Sequence, residues 1–380
     1  MTHTHDIDFK KAFAVEKLDG SQVKISGEIP YEELKKERSA SIKKLGQDIK
    51  IDGFRPGNIP ENILIEKIGE MAILTEMAER ALAHFYPHIV EAHALEVIGH
   101  PQIQITKIAP ENPLGFTATV ATMPEITLPD YKKIASETNK NRESDEVTDE
   151  DVEKQIKDIM RQRIAFEKLQ KKAAANTKKD EGDLPTPESE EAKKEFQNPA
   201  DIKDEDLPEL NDEYVKGLGQ PGQFEDVNDF KTKIREHLGI EKKQSVTAGH
   251  RAKLSDKIVE ATKIDLPQIL IDSELNQMQA QMEEDITRAG MNFNEYLSHI
   301  KKTKEEMLAE WKPAAEKRAK LQLVLNEIAK REDIKPNESE LELQVKQLLE
   351  QYKDADEMRV RLYVASVLTN EAVMKMLEEQ

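Results

Sequence analysis

The sequence predicts an α+β N-terminal domain followed by a mostly α-helical C-terminal domain. Three observations carry this prediction. Two stretches of strand-like alternation, residues 9 to 29 and 102 to 122, bracket two helical patterns. From Leu210 to the end, the pattern is helical throughout. Charged residues make up 34% of the 380 and aromatic residues 5%, which suits long amphipathic helices with thin cores rather than one large core.

In chain order, Phe9, Ala12 and Val15, then Val23, Ile25 and Ile29, read as strands turning at Gly20. Pro30-Tyr31-Glu32-Glu33 opens a helix expected to run to about Lys50, with proline at the entry and acids in the first turn. Pro60-Glu61-Asn62 opens a second, carrying Ile63, Leu64, Ile68, Met71, Leu74, Met77, Ala81 and Leu82, which Pro87 should end or kink. Residues 102–108 and 116–122 form a strand pair joined through Pro110, Pro113 and Gly115. Residues 1–125 thus make one α+β unit.

Pro124 and Pro129 mark a linker, and Thr148-Asp149-Glu150-Asp151 gives a long helix a capped, acidic start, so 126–170 is linker plus helix. Residues 171–207 are dominated by Lys, Glu, Asp, Ala and Pro, with Phe196 the only aromatic. Such a stretch buries too little apolar area to offset chain ordering and reads as a charged, low-complexity connection. Residues 208–380 then form the helical domain. Its helices are expected at Phe224 to His237, Ser245 to Thr262, Pro267 to about Gly290, Phe293 to Ile300, Lys304 to Arg331, Glu338 to Tyr352 and Asp356 to Glu379.

Composition excludes several functions. There is no cysteine, hence no disulfide, thiolate zinc site or cysteine nucleophile. A net charge of -19 argues against a general nucleic-acid binder, since phosphate contacts need a basic surface. The first residues lack the basic and apolar regions of a signal peptide, and no apolar run reaches membrane-spanning length, so a soluble, cytoplasmic protein without membrane contact is expected. Phosphate-binding glycine loops and nucleophile elbows are absent, and no catalytic triad or carboxylate pair stands out. No cofactor or metal is expected. His84 and His88 are four residues apart, but Pro87 lies between them and neither Cys nor a carboxylate motif joins them, His93 and His100 notwithstanding.

The candidate site is Asp52-Gly53-Phe54-Arg55-Pro56-Gly57-Asn58-Ile59-Pro60, between the first two helices. Glycines and prolines restrict and shape its backbone. Residue types alone leave two readings: a turn whose Phe54 folds into the local core, or a shaped loop presenting Phe54 and Arg55 outward, the pairing that binding hot spots favour.

Gly53-Phe54-Arg55-Pro56-Gly57-Asn58-Ile59-Pro60 resembles the Gly-Phe-Arg-x-Gly-x-x-Pro signature of the bacterial trigger factor family of ribosome-associated chaperones. Leu128-Pro129-Asp130-Tyr131, Glu209-Leu210-Asn211-Asp212-Glu213-Tyr214, and Ile264-Asp265-Leu266-Pro267 with Leu270-Ile271-Asp272-Ser273-Glu274 resemble later landmarks of the same family, in order. The resemblance covers nearly the whole chain apart from about 171–207. It implies an N-terminal ribosome-binding domain and a C-terminal chaperone domain with long helical arms. Gly53, Phe54, Arg55, Pro56, Gly57 and Asn58 would dock at the tunnel exit of the large ribosomal subunit, on protein and rRNA. Many members are basic where Asn58 stands, and some where Pro56 stands. Lys43, Lys44 and Lys50 on the preceding helix are the candidates to supply that charge.

The second departure is a missing domain. The family usually inserts an FKBP-like prolyl isomerase domain between the linker helix and the C-terminal helices. Here that place holds the low-complexity stretch, without the strands or aromatic pocket such a domain needs. The expectation is therefore a non-enzymatic chaperone for unfolded nascent polypeptides, with weak self-association off the ribosome. Peptidyl-prolyl cis-trans isomerase, by family association, is the alternative. Met278, Met282, Met291, Met307, Met358, Met374 and Met376 lie in the C-terminal helices. They read either as ordinary packing or, with Met278, Met282, Met291, Met307 and Met358 as candidates, as an adaptable client surface.

Overall fold

The structure, a computed structural model, describes residues 7–47, 61–176, 202–220 and 223–380. The chain divides into two compact units, residues 1–131 with 257–375, and residues 132–256 with 376–380.

The first unit begins with one helical turn, α1 (Phe9–Ala12), then β1 (Phe13–Leu18) and β2 (Gln22–Ile29), paired antiparallel across the Asp19-Gly20-Ser21 turn. Helices α2 (Tyr31–Lys36), α3 (Arg38–Gln47), α4 (Glu61–Ile68) and α5 (Glu70–Ala92) follow, and β3 (Val97–Lys107) and β4 (Leu114–Thr122) complete an antiparallel sheet of order β1-β2-β4-β3. Alternation builds the core. Phe13, Ile25, Phe116 and Ala118 point from one face of the sheet onto Ile73, Met77, Leu82, Phe85 and Ile89 of α5.

Phe9 and Ala12, expected in a strand, instead form the helical turn α1. The first helix is interrupted at Glu37, whose N–H bonds to Leu34 and Lys35 carbonyls, giving α2 and α3 in place of one helix. Of the two outcomes expected at Pro87, an end or a kink, the end does not occur: α5 runs through it to Ala92. The burial of Phe85 and Ile89 on either side holds the helix against the loss of one backbone bond.

The same unit contains the later helices α10 (Gln268–Arg288), α11 (Phe293–Ile300), α12 (Lys304–Arg331), α13 (Glu338–Gln351) and most of α14 (Glu357–Glu378). The α+β part is tied to the segment before α10. Ser21 N–H donates to Asp265 Oδ2 at 2.9 Å, Ser21 Oγ to the Asp265 carbonyl at 2.6 Å, and Thr127 and Lys263 exchange backbone hydrogen bonds. Tyr131 is buried and donates to Glu332 Oε1 at 2.5 Å. Burial first, and the Glu332 carboxylate second, push its phenol up to about 12. Helices α13 and α14 pack as a hairpin over Leu341, Val345 and Val364.

The second unit holds most of α6 (Tyr131–Asn139), α7 (Asp149–Asn176), α8 (Asp212–Lys216) and most of α9 (Val227–Ala261). Its core joins Val152, Ile156 and Met160 of α7 to Val215 and Phe230. The two helices expected at 224–237 and 245–262 are one, because Gly239 costs a helix interior only about 1 kcal/mol. The end of the low-complexity stretch is held in place. Ile202 is buried, its carbonyl accepts from Arg161 Nε at 3.2 Å, and Asp204 pairs with Lys157 and Arg161. Asn139 Nδ2 donates to the Leu377, Glu378 and Gln380 carbonyls, capping the C-terminus of α14.

Candidate functional site

The loop residues Gly53, Phe54, Arg55, Pro56, Gly57 and Asn58, together with Lys50, lie outside the described residues. The helices on either side of them do not. Ile42 of α3 is buried in the core of the first unit, and Leu45 of α3 with Ile63, Ile65 and Ile68 of α4 pack against it. Gly69, at φ 87, separates α4 from α5 in a conformation that side chains rarely adopt. Three ion pairs then join α3 and Glu37, the residue before it, to α5. Arg38 grips Glu70 with both guanidinium nitrogens at 2.5 and 3.0 Å, Arg80 Nε donates to Glu37 at 3.0 Å, and Lys44 meets Glu76. The Arg38 hydrogen bonds hold the Glu70 carboxyl below its usual range. The helix before the loop is thus held to α5 by ion pairs and the helix after it by apolar packing.

The two described lysine candidates differ. Lys43 is exposed on α3. Lys44 Nζ lies 2.8 Å from Oε1 of the buried Glu76, and the better-angled hydrogen bond goes to Oε2 at 3.0 Å. Its charge compensates a carboxylate that would otherwise be buried unpaired, so of the two it is Lys43 that is available to an external phosphate.

The methionine candidates separate in the same way. Met307 is 3% exposed and belongs to the core, correcting its reading as a client contact. Met278 and Met282 on α10 are half-buried, and Met291, just past α10, is exposed. Met358, at 66% exposure, lies on the outer surface of the α13–α14 hairpin. Reading by methionine alone missed its neighbours there. Leu362 is 65% exposed and Tyr363 64%, with Leu343, Tyr352 and Val367 also open. The signal was available in the sequence: α14 carries apolar residues on more faces than one packed side requires.

His84 and His88 form an edge-to-face ring pair at 5.6 Å, with Phe9 packed on His88 and on Phe85. Among the described residues, no three His, Cys, Asp or Glu side chains come together at metal-binding spacing. No described helix is long and apolar enough to cross a membrane.

The family model described as bacterial trigger factor protein matches residues 11–159, and the model described as its C-terminus matches residues 226–380. The chain is similar to the trigger factor of Streptomyces avermitilis, 28% identical over 384 residues that cover 86% of this chain and 80% of that protein. It is also similar to the trigger factor of Moorella thermoacetica, 26% identical over 422 residues, covering 95% and 92%. A solved chain from work on promiscuous substrate recognition in the folding and assembly activities of the trigger factor chaperone aligns over 97% of this chain and 99% of its own. The TM-score is 0.50 and the identity 16%, a likeness of fold.

Proposed function

The chain belongs to the bacterial trigger factor family of chaperones, and from that premise we propose that it holds unfolded nascent polypeptides at the ribosome without covalent chemistry. The observation that carries the client-binding half is the outer surface of the α13–α14 hairpin, where Met358, Leu362 and Tyr363 stand open to solvent on a charged scaffold. Large exposed apolar side chains grouped on one element mark interaction sites. Many weak contacts of this kind delay collapse and aggregation of an emerging chain, and release follows as the client buries its own surface.

The docking half assigns Gly53 to Asn58 to the large ribosomal subunit at the tunnel exit. Phe54 fills a shallow apolar patch, and Arg55 pairs with an acidic side chain or phosphate. Lys43 and Lys50 add charge toward rRNA. The cytoplasm is the compartment that follows from a ribosomal partner, and weak self-association is assigned to the ribosome-free protein.

Residues 171–207 stand, in this reading, where relatives carry a prolyl isomerase domain. Isomerase activity is the second reading. The two separate on proline cis/trans turnover in a short peptide: no acceleration by the full chain is expected, and measurable turnover would overturn the non-enzymatic reading. The chaperone reading is tested by light scattering of an aggregating denatured protein. The full chain should suppress aggregation, and Leu362→Lys with Tyr363→Lys should weaken client affinity at least about tenfold. Suppression unchanged in that double variant would remove the hairpin as the client surface.

A further inference from the structure

Among the described residues, the sheet of the first unit has two open edges, β1 and β3, and they are guarded differently. Thr122 N–H bonds to the Ser21 carbonyl and Met123 N–H to the Glu96 carbonyl. Antiparallel alternation from these two bonds turns the backbone groups of Thr119 and Thr117 toward β3, where they pair with Gln102 and Gln104. The N–H and C=O of Ile103 and Ile105, opposite Ala118 and Phe116, therefore point away from β4. Among the described residues, no backbone or side-chain group outside β4 hydrogen bonds to the backbone of 102–107.

Proteins blunt such edges with charge, proline or short strands. The β1 edge follows that rule, with six residues and Glu16 and Lys17 within them. The β3 edge has its guards only at the two ends of one stretch, Pro101 and Lys107, with a register shift beside each. Between Pro101 and Lys107 it reads Gln-Ile-Gln-Ile-Thr, uncharged and exposed throughout. The Ile103 and Ile105 side chains share the face of Phe116 and Ala118, yet are 40% and 36% exposed. The opposite face is Gln102, Gln104, Thr117 and Thr119.

We propose that the β3 edge binds an extended segment of an unfolded polypeptide as an added strand, pairing with the outward backbone groups of Ile103 and Ile105. The occupant this edge selects has apolar residues at alternate positions, set beside Ile103 and Ile105, and uncharged polar residues beside the glutamines. A second copy of this chain is the weaker occupant, because two chains of net charge -19 repel. The proposal deepens the chaperone reading and rests on it: backbone pairing is blind to side-chain identity, which suits varied clients.

The test uses the full chain and a labelled octapeptide of alternating valine and threonine. Hydrogen exchange at the Ile103 and Ile105 amides should slow about tenfold at saturating peptide. The same peptide N-methylated at alternate amides along one edge should lose binding. Ile103→Pro, which removes an N–H the fold does not use, should weaken binding about tenfold, and Ile105→Lys, which keeps the backbone intact, should weaken it as well. Peptide binding with unchanged exchange at 102–107, equal binding of the N-methylated peptide, or no binding would overturn the proposal. So would slowed exchange that follows protein concentration without peptide, which would assign the edge to a second copy. Aggregation suppression by the unmodified chain reads separately: if it persists while the edge fails these tests, only the edge inference falls.

Discussion

Lys44 has been claimed by the fold. Its ammonium faces the buried Glu76 carboxylate from an exposed stem, so removing it leaves a charge with little solvent around it. Lys44→Ala should cost about 1 kcal/mol once screening at the exposed end is allowed for, read as a lower urea midpoint at unchanged slope. Pairing it with Glu76→Leu should recover most of the loss. A single variant as stable as the parent would show that Glu76 finds another partner. Gly27 is a second such position. A Cβ there would overlap the ring of the buried Phe13 and lie 3.0 Å from the Ala12 carbonyl. Gly27→Ala should cost about 2 kcal/mol by the same measurement, and an unchanged midpoint would mean that the strand start shifts freely.

At the scale of elements, what could be read ahead was set by how local each signal is. Helices α11 and α12 agree with expectation at both ends, and their starts are fixed by complete capping boxes, Asn292 with Glu295 and Thr303 with Glu306. The start of α7 was legible for the same reason. Asp151 accepts from Thr148 N–H at 3.0 Å and from Lys242 at 2.9 Å. The Thr148 backbone bond first, and Lys242 with it, hold its carboxyl at about 2 against an ordinary 3.8. With the folded value depressed, this stabilisation is present above pH 3.8 and is lost as pH falls toward 2. Asp151→Asn should flatten the loss of stability across that window, and a parallel pH profile would contradict the assignment. The continuation of α5 through Pro87 was not legible, because the burial of Phe85 and Ile89 outweighs one proline, nor was that of α9 through Gly239, whose cost in a helix is small. The outward backbone groups of β3 depend on register with β4, which no local pattern contains.

At the scale of the molecule, overall charge opposes the task the chain is assigned. With a net charge of -19, rRNA repels most of the surface, so docking falls to a local patch. Arg55, Lys43 and Lys50 are the residues we propose for that patch. Raising salt from low to physiological levels should change ribosome affinity only modestly, because few phosphates are neutralised; a steep salt slope would indicate a wider basic footprint. The family and the loop motif were legible from Gly53 to Pro60. Of the exposed apolar residues on the α13–α14 hairpin, Met358 was picked out by residue type, while the exposure of Leu362 and Tyr363 depends on the hairpin packing.

Co-sedimentation with ribosomes tests the central claim most directly. The full chain should pellet with ribosomes, and Phe54→Ala with Arg55→Ala should leave it in the supernatant at equal concentration and unchanged stability. A double variant that pellets as completely as the parent would contradict the assignment of this loop as the ribosome anchor.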